Sequence, residues 1–356
     1  MQEIVIGNGT VNNLKSLLSG RRFLLVHSPS LSRFTVINAE ISSSSLIVAD
    51  FGEVKPNPDY ETVQKALELF VKNDCNAILA IGGGSVIDVA KAIKYYYDNS
   101  GRNDIYLIAV PTTAGTGSES TSFAVIYING EKKSLSDSNL LPDVAYLEGS
   151  LLNSLPLYQK KCTLLDALCQ CIESLWSVNS TAQSMEYAQK GIQLIRENYE
   201  KYFSDDNTVN SKILLASNYS GRAICISKTT AAHAMSYKIT SKYGIPHGHA
   251  VAICLPYVWE FIVQNIDSCV DARGKEYLIG QLDIISDALG YHSCMEAIDA
   301  FKHFLMKIDI HAPAEISNEE IEALTEAVNL ERLKNTPVKM DKKDIRHLYS
   351  LVFSKK

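Results

Sequence analysis

The apolar run Asn76–Ile81 passes without a break into Gly82-Gly83-Gly84-Ser85 and then into an amphipathic stretch from Val86 to about Tyr97. A short apolar run, a glycine turn and a helical pattern in that order form half of a parallel-sheet unit, because parallel strands need a long crossover and a helix supplies it. The surrounding chain repeats the alternation. Arg22–His27 reads as a buried strand, Ser45–Ala49 as another, and Ile105–Val110 as a further one that stops at Pro111. Between them, Asp59–Asn73 places Val63, Ala66, Leu67, Phe70 and Val71 on one helical face. Residues 1–150 are therefore expected to form an α/β domain with a parallel, Rossmann-like sheet, whose ligands bind at the carboxyl ends of the strands. Ser42 to Ser45 reads as a loop.

Beyond Leu155-Pro156 the strand signals cease. Helical spacing covers Lys160–Ser177, Ala182–Tyr202, Asn210–Ile226, Gly280–Leu289, Cys294–Lys307, Asn318–Ala327 and Asp341–Phe353. An all-α domain over 151–356 is the reading. With 46% hydrophobic residues and a formal charge of −6, from 34 Lys+Arg against 40 Asp+Glu, the chain has the makings of a packed core. It lacks the basic excess of a phosphate-driven nucleic-acid binder. No stretch approaches the ~20 apolar residues of a membrane span, and the N-terminus does not read as a signal peptide. The eight cysteines contain no Cys-x-x-Cys pair and sit among apolar or small residues. Free thiols in a cytoplasmic protein are expected.

Three segments carry chemistry. The loop Gly82-Gly83-Gly84-Ser85 brings backbone N–H groups to a helix N-terminus, a place for phosphate, or else simply turns the chain. Asp88 and Lys91 follow one turn apart, as site residues or as a surface pair. Pro111–Glu119 ends the next strand with Thr112, Thr113, Ser118 and two glycines, and two such loops at successive strand ends would face one crevice. Third, His233, His247 and His249 lie within 17 residues, while Asp166 and Gln170 share one face of an earlier helix. A carboxylate, an amide and two imidazoles suit a divalent cation, and interior hydrogen-bonded histidines are the alternative.

Taken together, Pro56-Asn57-Pro58, Ala80–Ser85 with Asp88 and Lys91, Pro111–Glu119 and Pro246-His247-Gly248, in that order, resemble the iron-containing (group III) alcohol dehydrogenase family over essentially the whole chain. The resemblance implies a dehydroquinate synthase-like architecture, with a nucleotide-binding domain, a helical metal domain and hydride transfer in a cleft between them. It also implies a homo-oligomer, such as a dimer. By position, Gly82, Gly83, Gly84, Ser85, Asp88, Thr112, Thr113, Ser118 and Lys133 would hold NAD(H) or NADP(H). Asp166, Gln170, His233 and His247 would hold Fe2+ or Zn2+.

The chain departs from that pattern in places. Gln170 stands where the family usually has histidine, which weakens the donor set. Tyr237 replaces a second histidine, so proton delivery is assigned to Tyr237, His249 or water. Ser28 ends the strand where relatives carry an acid, and Arg33 follows. Ser28 removes the repulsion an acid would exert on a 2′-phosphate and Arg33 raises NADP(H) as an option, so NADP(H) stays open beside NAD(H), the cofactor expected. Lys228, within Ser227–Thr230, and Arg222 bring positive charge toward the expected substrate side, as an anion pocket or as solvated surface. This local text resembles the phosphonoacetaldehyde reductase branch, which interconverts phosphonoacetaldehyde and 2-hydroxyethylphosphonate. A small aldehyde reduced to a primary alcohol is the reaction expected. A general short-chain alcohol dehydrogenase, a glycerol-phosphate dehydrogenase and a metal-free, non-catalytic nucleotide-binding protein are the alternatives.

Overall fold

The structure is a computed structural model and describes residues 2–7, 12–18, 20–34, 37, 41, 44–101, 105–313 and 316–354. The chain divides into two compact units, one of residues 1–156 and 200–221, the other of 157–199 and 222–356.

In the first unit, strands β1 (Glu3–Ile6), β2 (Phe23–His27), β3 (Ile47–Phe51), β4 (Ala77–Gly82), β5 (Tyr106–Pro111) and β8 (Val144–Leu147) form one sheet in the order β1-β8-β5-β4-β2-β3. Every pairing in it is parallel. Helix α1 (Asn12–Leu17) follows β1, α2 (Tyr60–Lys72) follows β3, and α3 (Gly84–Asp98) follows β4. The central strands are apolar on both faces because both faces are covered. Ile78 and Ala80 of β4 join a cluster with Val63, Ala66 and Phe70 of α2 and Val86, Val89 and Ile93 of α3. Their neighbours Ala77, Leu79 and Ile81 point the other way, into a cluster with Leu14 and Leu18. Helix α2 starts as its sequence dictates, with Asp59 accepting from the Thr62 N–H at 2.8 Å.

Four short strands had no clear sequence signal. β1 and β8 are four residues each. β6 (Phe123–Ile128) and β7 (Glu131–Ser136) form a separate antiparallel hairpin. The expected strand Ser45–Ala49 is found two residues later, at β3. The serine run predicted as a loop lies partly outside the described residues, at Ser42 and Ser43. Residues 200–221 group with this unit. At one point a Cβ on Gly117, whose φ is +59°, would come within 2.4 Å of the Gly221 Cα. Two backbones that close admit glycine alone.

The second unit is helical: α4 (Leu157–Trp176), most of α5 (Ala182–Phe203), the end of α6 (Asn210–Ser227), α7 (Ala231–Tyr243), α8 (His247–Gln264), α9 (Lys275–Leu289), α10 (Cys294–Lys307), α11 (Asn318–Glu326), α12 (Leu330–Leu333) and α13 (Lys342–Val352). Helices α4 and α8 pack along each other at its centre and are buried almost all round. Trp176 and Trp259 meet there at 5.8 Å between ring centroids. All eight cysteines are free thiols, as expected. Burial pushes Cys75 and Cys162 up to about 11 and also raises Cys169 and Cys171, which flank Gln170. They are packing residues. Among the described residues no helix is long and apolar enough to cross a membrane.

Candidate functional site

In the first unit the two loops meet. Gly82 of β4 pairs with Pro111 of β5, the Thr112 N–H donates to the Gly82 carbonyl at 3.0 Å, and Gly83 and Gly84 lie against Thr113 and Thr116. The α3 N-terminus, with Gly83 as its cap residue and Ser85 in its first turn, sits at the carboxyl edge of the sheet. That is the placement an anionic phosphate group requires.

Asp88 and Lys91 do not form a surface pair. Lys91 is fully buried; its ammonium donates to the Ser118 carbonyl, to Thr121 Oγ1 at 2.9 Å and to the Phe123 carbonyl at 3.0 Å. Asp88 accepts from Ser118 Oγ at 2.6 Å and from the Val125 N–H at 3.0 Å. Burial raises the Asp88 pKa against the opposing pull of Lys91 and Ser118. Asp88, Lys91 and Ser118 thus fasten the second loop to α3. Lys133 lies on the exposed hairpin strand, 3.3 Å from Glu131. Ser28 bonds Ser30 at 2.6 Å. Beside it, His27 Nε2 lies 2.8 Å from the Asp50 carboxylate of β3.

In the second unit, α4 puts Asp166, Gln170 and Glu173 on one face, at spacings of four and three. His233 is in the first turn of α7. That helix ends at Gly244, in the left-handed region with φ +66°, and Pro246 opens α8. The reversal returns His247 beside His233, with ring centroids 5.3 Å apart. Asp166, His233 and His247 each offer a ligand atom, all within 4.8 Å of one another. Gln170 joins them, its buried amide hydrogen-bonded to Asp166.

His233 Nε2 and Asp166 Oδ1 lie 3.4 Å apart, and neither buried atom has a hydrogen-bond partner. Leaving such a pair unsatisfied costs free energy, and a divalent cation between them would satisfy both. The other nitrogen of His233 is committed: Nδ1 bonds the carboxylate of Glu173. A carboxylate can only accept, so Nδ1 keeps its proton, and once the ring gives up its second proton Nε2 presents its lone pair to the cluster. Glu173 is fully buried and also accepts from Thr230 N–H at 3.0 Å and Thr230 Oγ1 at 2.5 Å. Sequence reasoning missed Glu173. Its only signal was the spacing of seven from Asp166.

Burial opposes charge here, yet the cluster stays charged. Asp166 is held below the ordinary carboxylate range because His247, His233 and Gln170 outweigh its desolvation. His233 and Thr230 do the same for Glu173. Burial would lower His233, but Glu173 and Asp166 overcome it and raise the imidazole to about 9. Two consequences have a definite sign. A protonated His233 stabilises the metal-free fold fully below its ordinary value near 6.5, and that contribution is lost as pH rises through about 9. A metal ion must displace this proton, so divalent metal affinity should tighten about tenfold per pH unit up to about 9. Competition with a chelator at three pH values checks the slope, and a flat profile contradicts it.

The candidate proton donors separate. Tyr237 stacks on His247, with ring centroids 5.5 Å apart and planes at 6°; burial raises its phenol pKa, although the Arg332 guanidinium pulls the other way. His249 is engaged elsewhere: Nε2 donates to the His311 carbonyl at 2.7 Å and Nδ1 accepts from the Tyr158 hydroxyl at 2.8 Å. Burial lowers its pKa, so the ring is neutral. It is not part of the Asp166–His233–His247 group.

The Ser227–Thr230 turn is wired to α4. Ser227 Oγ bonds Ser174 Oγ at 2.8 Å, and Thr230 receives the Trp176 indole N–H at 3.0 Å. Lys228 occupies the left-handed position at the end of α6, φ +60°, and its ammonium donates to the Cys225 carbonyl at 3.0 Å. The Arg222 guanidinium lies 5.5 Å from the Tyr187 ring centroid.

Comparisons with known proteins agree with this geometry. Residues 2–148 match the family described as iron-containing alcohol dehydrogenase, and residues 161–353 match the C-terminal domain of the Fe-containing alcohol dehydrogenase family. The chain is 30% identical to an NADPH-dependent butanol dehydrogenase of Clostridium saccharobutylicum, over 73% of this chain and 72% of the relative. It is 29% identical to a phosphonoacetaldehyde reductase of Streptomyces viridochromogenes, over 76% and 74%. The crystal structure of a sulfoacetaldehyde reductase from Bifidobacterium kashiwanohense in complex with NAD+ superposes with a TM-score of 0.87, at 25% identity, covering 100% of this chain and 98% of that one.

Proposed function

Because the chain belongs to the iron-containing alcohol dehydrogenase family and is an oxidoreductase, we propose that it uses a divalent metal and NAD(P)H to reduce a short aldehyde bearing an acidic end group, phosphonoacetaldehyde to 2-hydroxyethylphosphonate. The observation that carries the metal-dependent reading is the buried, unsatisfied pair of His233 Nε2 and Asp166 Oδ1. Fe2+ or Zn2+ held by Asp166, Gln170, His233 and His247 would polarise the carbonyl as a Lewis acid, and the nicotinamide would supply hydride.

The chain's own residues do the rest. Glu173 fixes the His233 tautomer. The His247 side chain is one-third exposed, which leaves the site approachable from its side for a substrate oxygen. Tyr237, stacked on His247, is the nearer of the two proton-donor candidates. The loops at Gly82–Ser85 and Thr112–Thr113 are the nucleotide's seat. Asp50, bonded to His27 at the carboxyl end of β2, supports NAD(H), since a carboxylate there would disfavour a 2′-phosphate.

The acidic end group rests on the likeness to relatives named for phosphonoacetaldehyde and sulfoacetaldehyde; Lys228 and Arg222 are candidate cations for it. The similarity to a butanol dehydrogenase favours a second reading, a general short-chain alcohol dehydrogenase. Metal-loaded protein with NADH and NADPH decides between them. The expected result is a kcat/KM for phosphonoacetaldehyde at least tenfold above that for propionaldehyde, lost on chelation and restored by Fe2+ or Zn2+. A preference for the neutral aldehyde selects the second reading, and turnover that survives complete metal removal overturns both.

A further inference from the structure

Arg332 was not singled out by the sequence, and it stands next to the metal cluster. Its Nη1 donates to the Tyr237 hydroxyl at 3.0 Å, and its guanidinium carbon lies 5.1 Å from the Tyr237 ring centroid. Tyr237 in turn lies flat on His247. One side chain therefore separates the guanidinium from a metal-ligand ring.

The placement is rigid. Arg332 sits on the short helix α12, which Asn329 caps by accepting from the Glu331 N–H at 2.9 Å. Just beyond, Asn335 donates to the Thr229 carbonyl at 3.0 Å, and its own carbonyl accepts from the Val178 N–H at 3.1 Å. The C-terminal end of α12 is thus tied, through Asn335, to the turn before His233 and to the segment after α4. The nearest carboxylate in sequence, Glu331, is 2.7 Å from Lys334. Among the described residues no carboxylate pairs with Arg332, and one of its five N–H groups is used by Tyr237.

A half-buried guanidinium with donors to spare is rare without an anion to meet it. We propose that Arg332, rather than Lys228 or Arg222, is the specificity-determining residue that receives the acidic end of the substrate, a tetrahedral phosphonate or sulfonate. The inference rests on the reading under Proposed function. The ammonium of Lys228 is turned onto the Cys225 carbonyl and Arg222 lies against Tyr187, whereas Arg332 presents a planar fork that matches two oxygens of a tetrahedral oxyanion. Tyr237 fills the space between guanidinium and His247.

The test compares metal-loaded wild type with Arg332→Gln, Arg332→Lys and Tyr237→Phe, using phosphonoacetaldehyde, sulfoacetaldehyde and propionaldehyde. Arg332→Gln should lower kcat/KM for both acidic aldehydes about 50-fold more than for propionaldehyde, chiefly through KM, as expected for a lost charge-assisted bond. Arg332→Lys should recover part of the loss. An equal loss on charged and neutral aldehydes, or the same profile from Tyr237→Phe, would show that Arg332 only holds Tyr237 and would overturn the proposal. Inhibition of propionaldehyde reduction by methylphosphonate separates the two claims. If the wild type prefers neutral aldehydes, the substrate reading fails, yet competitive inhibition that Arg332→Gln weakens at least tenfold upholds the anion site. Inhibition that is absent from the wild type, or unchanged in the variant, overturns it.

Discussion

Substituting Glu173 with Gln is expected to weaken divalent metal binding about 100-fold while leaving a folded protein. Glu173 accepts four donors, two from Thr230 and two from His233, and glutamine retains a single acceptor oxygen. The larger effect is on charge. With Glu173 and Asp166 both ionised, the two carboxylates balance a divalent cation bound through neutral imidazoles. The glutamine variant leaves one positive charge uncompensated in a buried site, which is costly. The same change removes the largest attraction holding a proton on His233, so the pH dependence of metal affinity should flatten below pH 9. Metal content after dialysis against a graded chelator, measured at two pH values, reports both. Unchanged affinity would show that Glu173 is only a packing group. Glu173→Leu should do worse, because it strands buried donors and costs about 3 kcal/mol or more of stability.

The contrast between Glu173 and its neighbours shows what a sequence carries and what it does not. The alternation of strands and helices through β5 was legible because each element signals itself locally, by apolar runs, by spacing, and by caps such as Asp59. The cluster of Asp166, His233 and His247 was legible because three histidines fall close together in sequence and the surrounding text resembles a family. β1 and β8 are four residues long and gain their stability from parallel partners far away in sequence, so no local pattern announces them. β7 alternates mostly charged and hydroxyl residues on an exposed hairpin. Helix α8 contains Pro256, which reads as a breaker until its neighbours are seen.

Glu173 was hidden for a related reason. On α4 alone it is one more acid on a helix, and only the placement of α7 gives it His233 and Thr230. Arg332 lies 95 residues from Tyr237 on a helix of four residues, beyond the reach of any spacing argument. Asp88 and Ser118 are a further case. Residue type alone did not show that Asp88 on α3 bonds Ser118 and so helps hold the second loop to that helix. Lys91, whose charged end satisfies four oxygens inside the protein, is the cation that makes this possible.

Gly248→Ala should be among the most damaging single-methyl additions in the second unit. A Cβ at this position would fall 1.9 Å from the Cys162 carbonyl oxygen, 2.8 Å from the Asp166 Cβ and 2.9 Å from the Asp166 nitrogen. These atoms are backbone or fixed to it, so no rotamer change relieves the overlap, and α8 must move away from α4. That contact is where His247, one residue earlier, is registered against Asp166. The displacement therefore damages core and cluster together. Overpacking of this kind costs about 3 kcal/mol, and for a unit of this size that corresponds to a fall in Tm of about 10 °C. Metal affinity should drop as well, since the His247 and Asp166 atoms no longer converge. Gly280→Ala provides the comparison. Gly280 lies inside α9 with nothing within 4 Å of its would-be Cβ, and alanine is the better helix former by about 1 kcal/mol. The two substitutions add the same methyl group to helices of the same unit and should move Tm in opposite directions, with metal affinity falling in the first alone. Equal melting temperatures for the pair would mean that the α4–α8 approach is not what sets the geometry of the site.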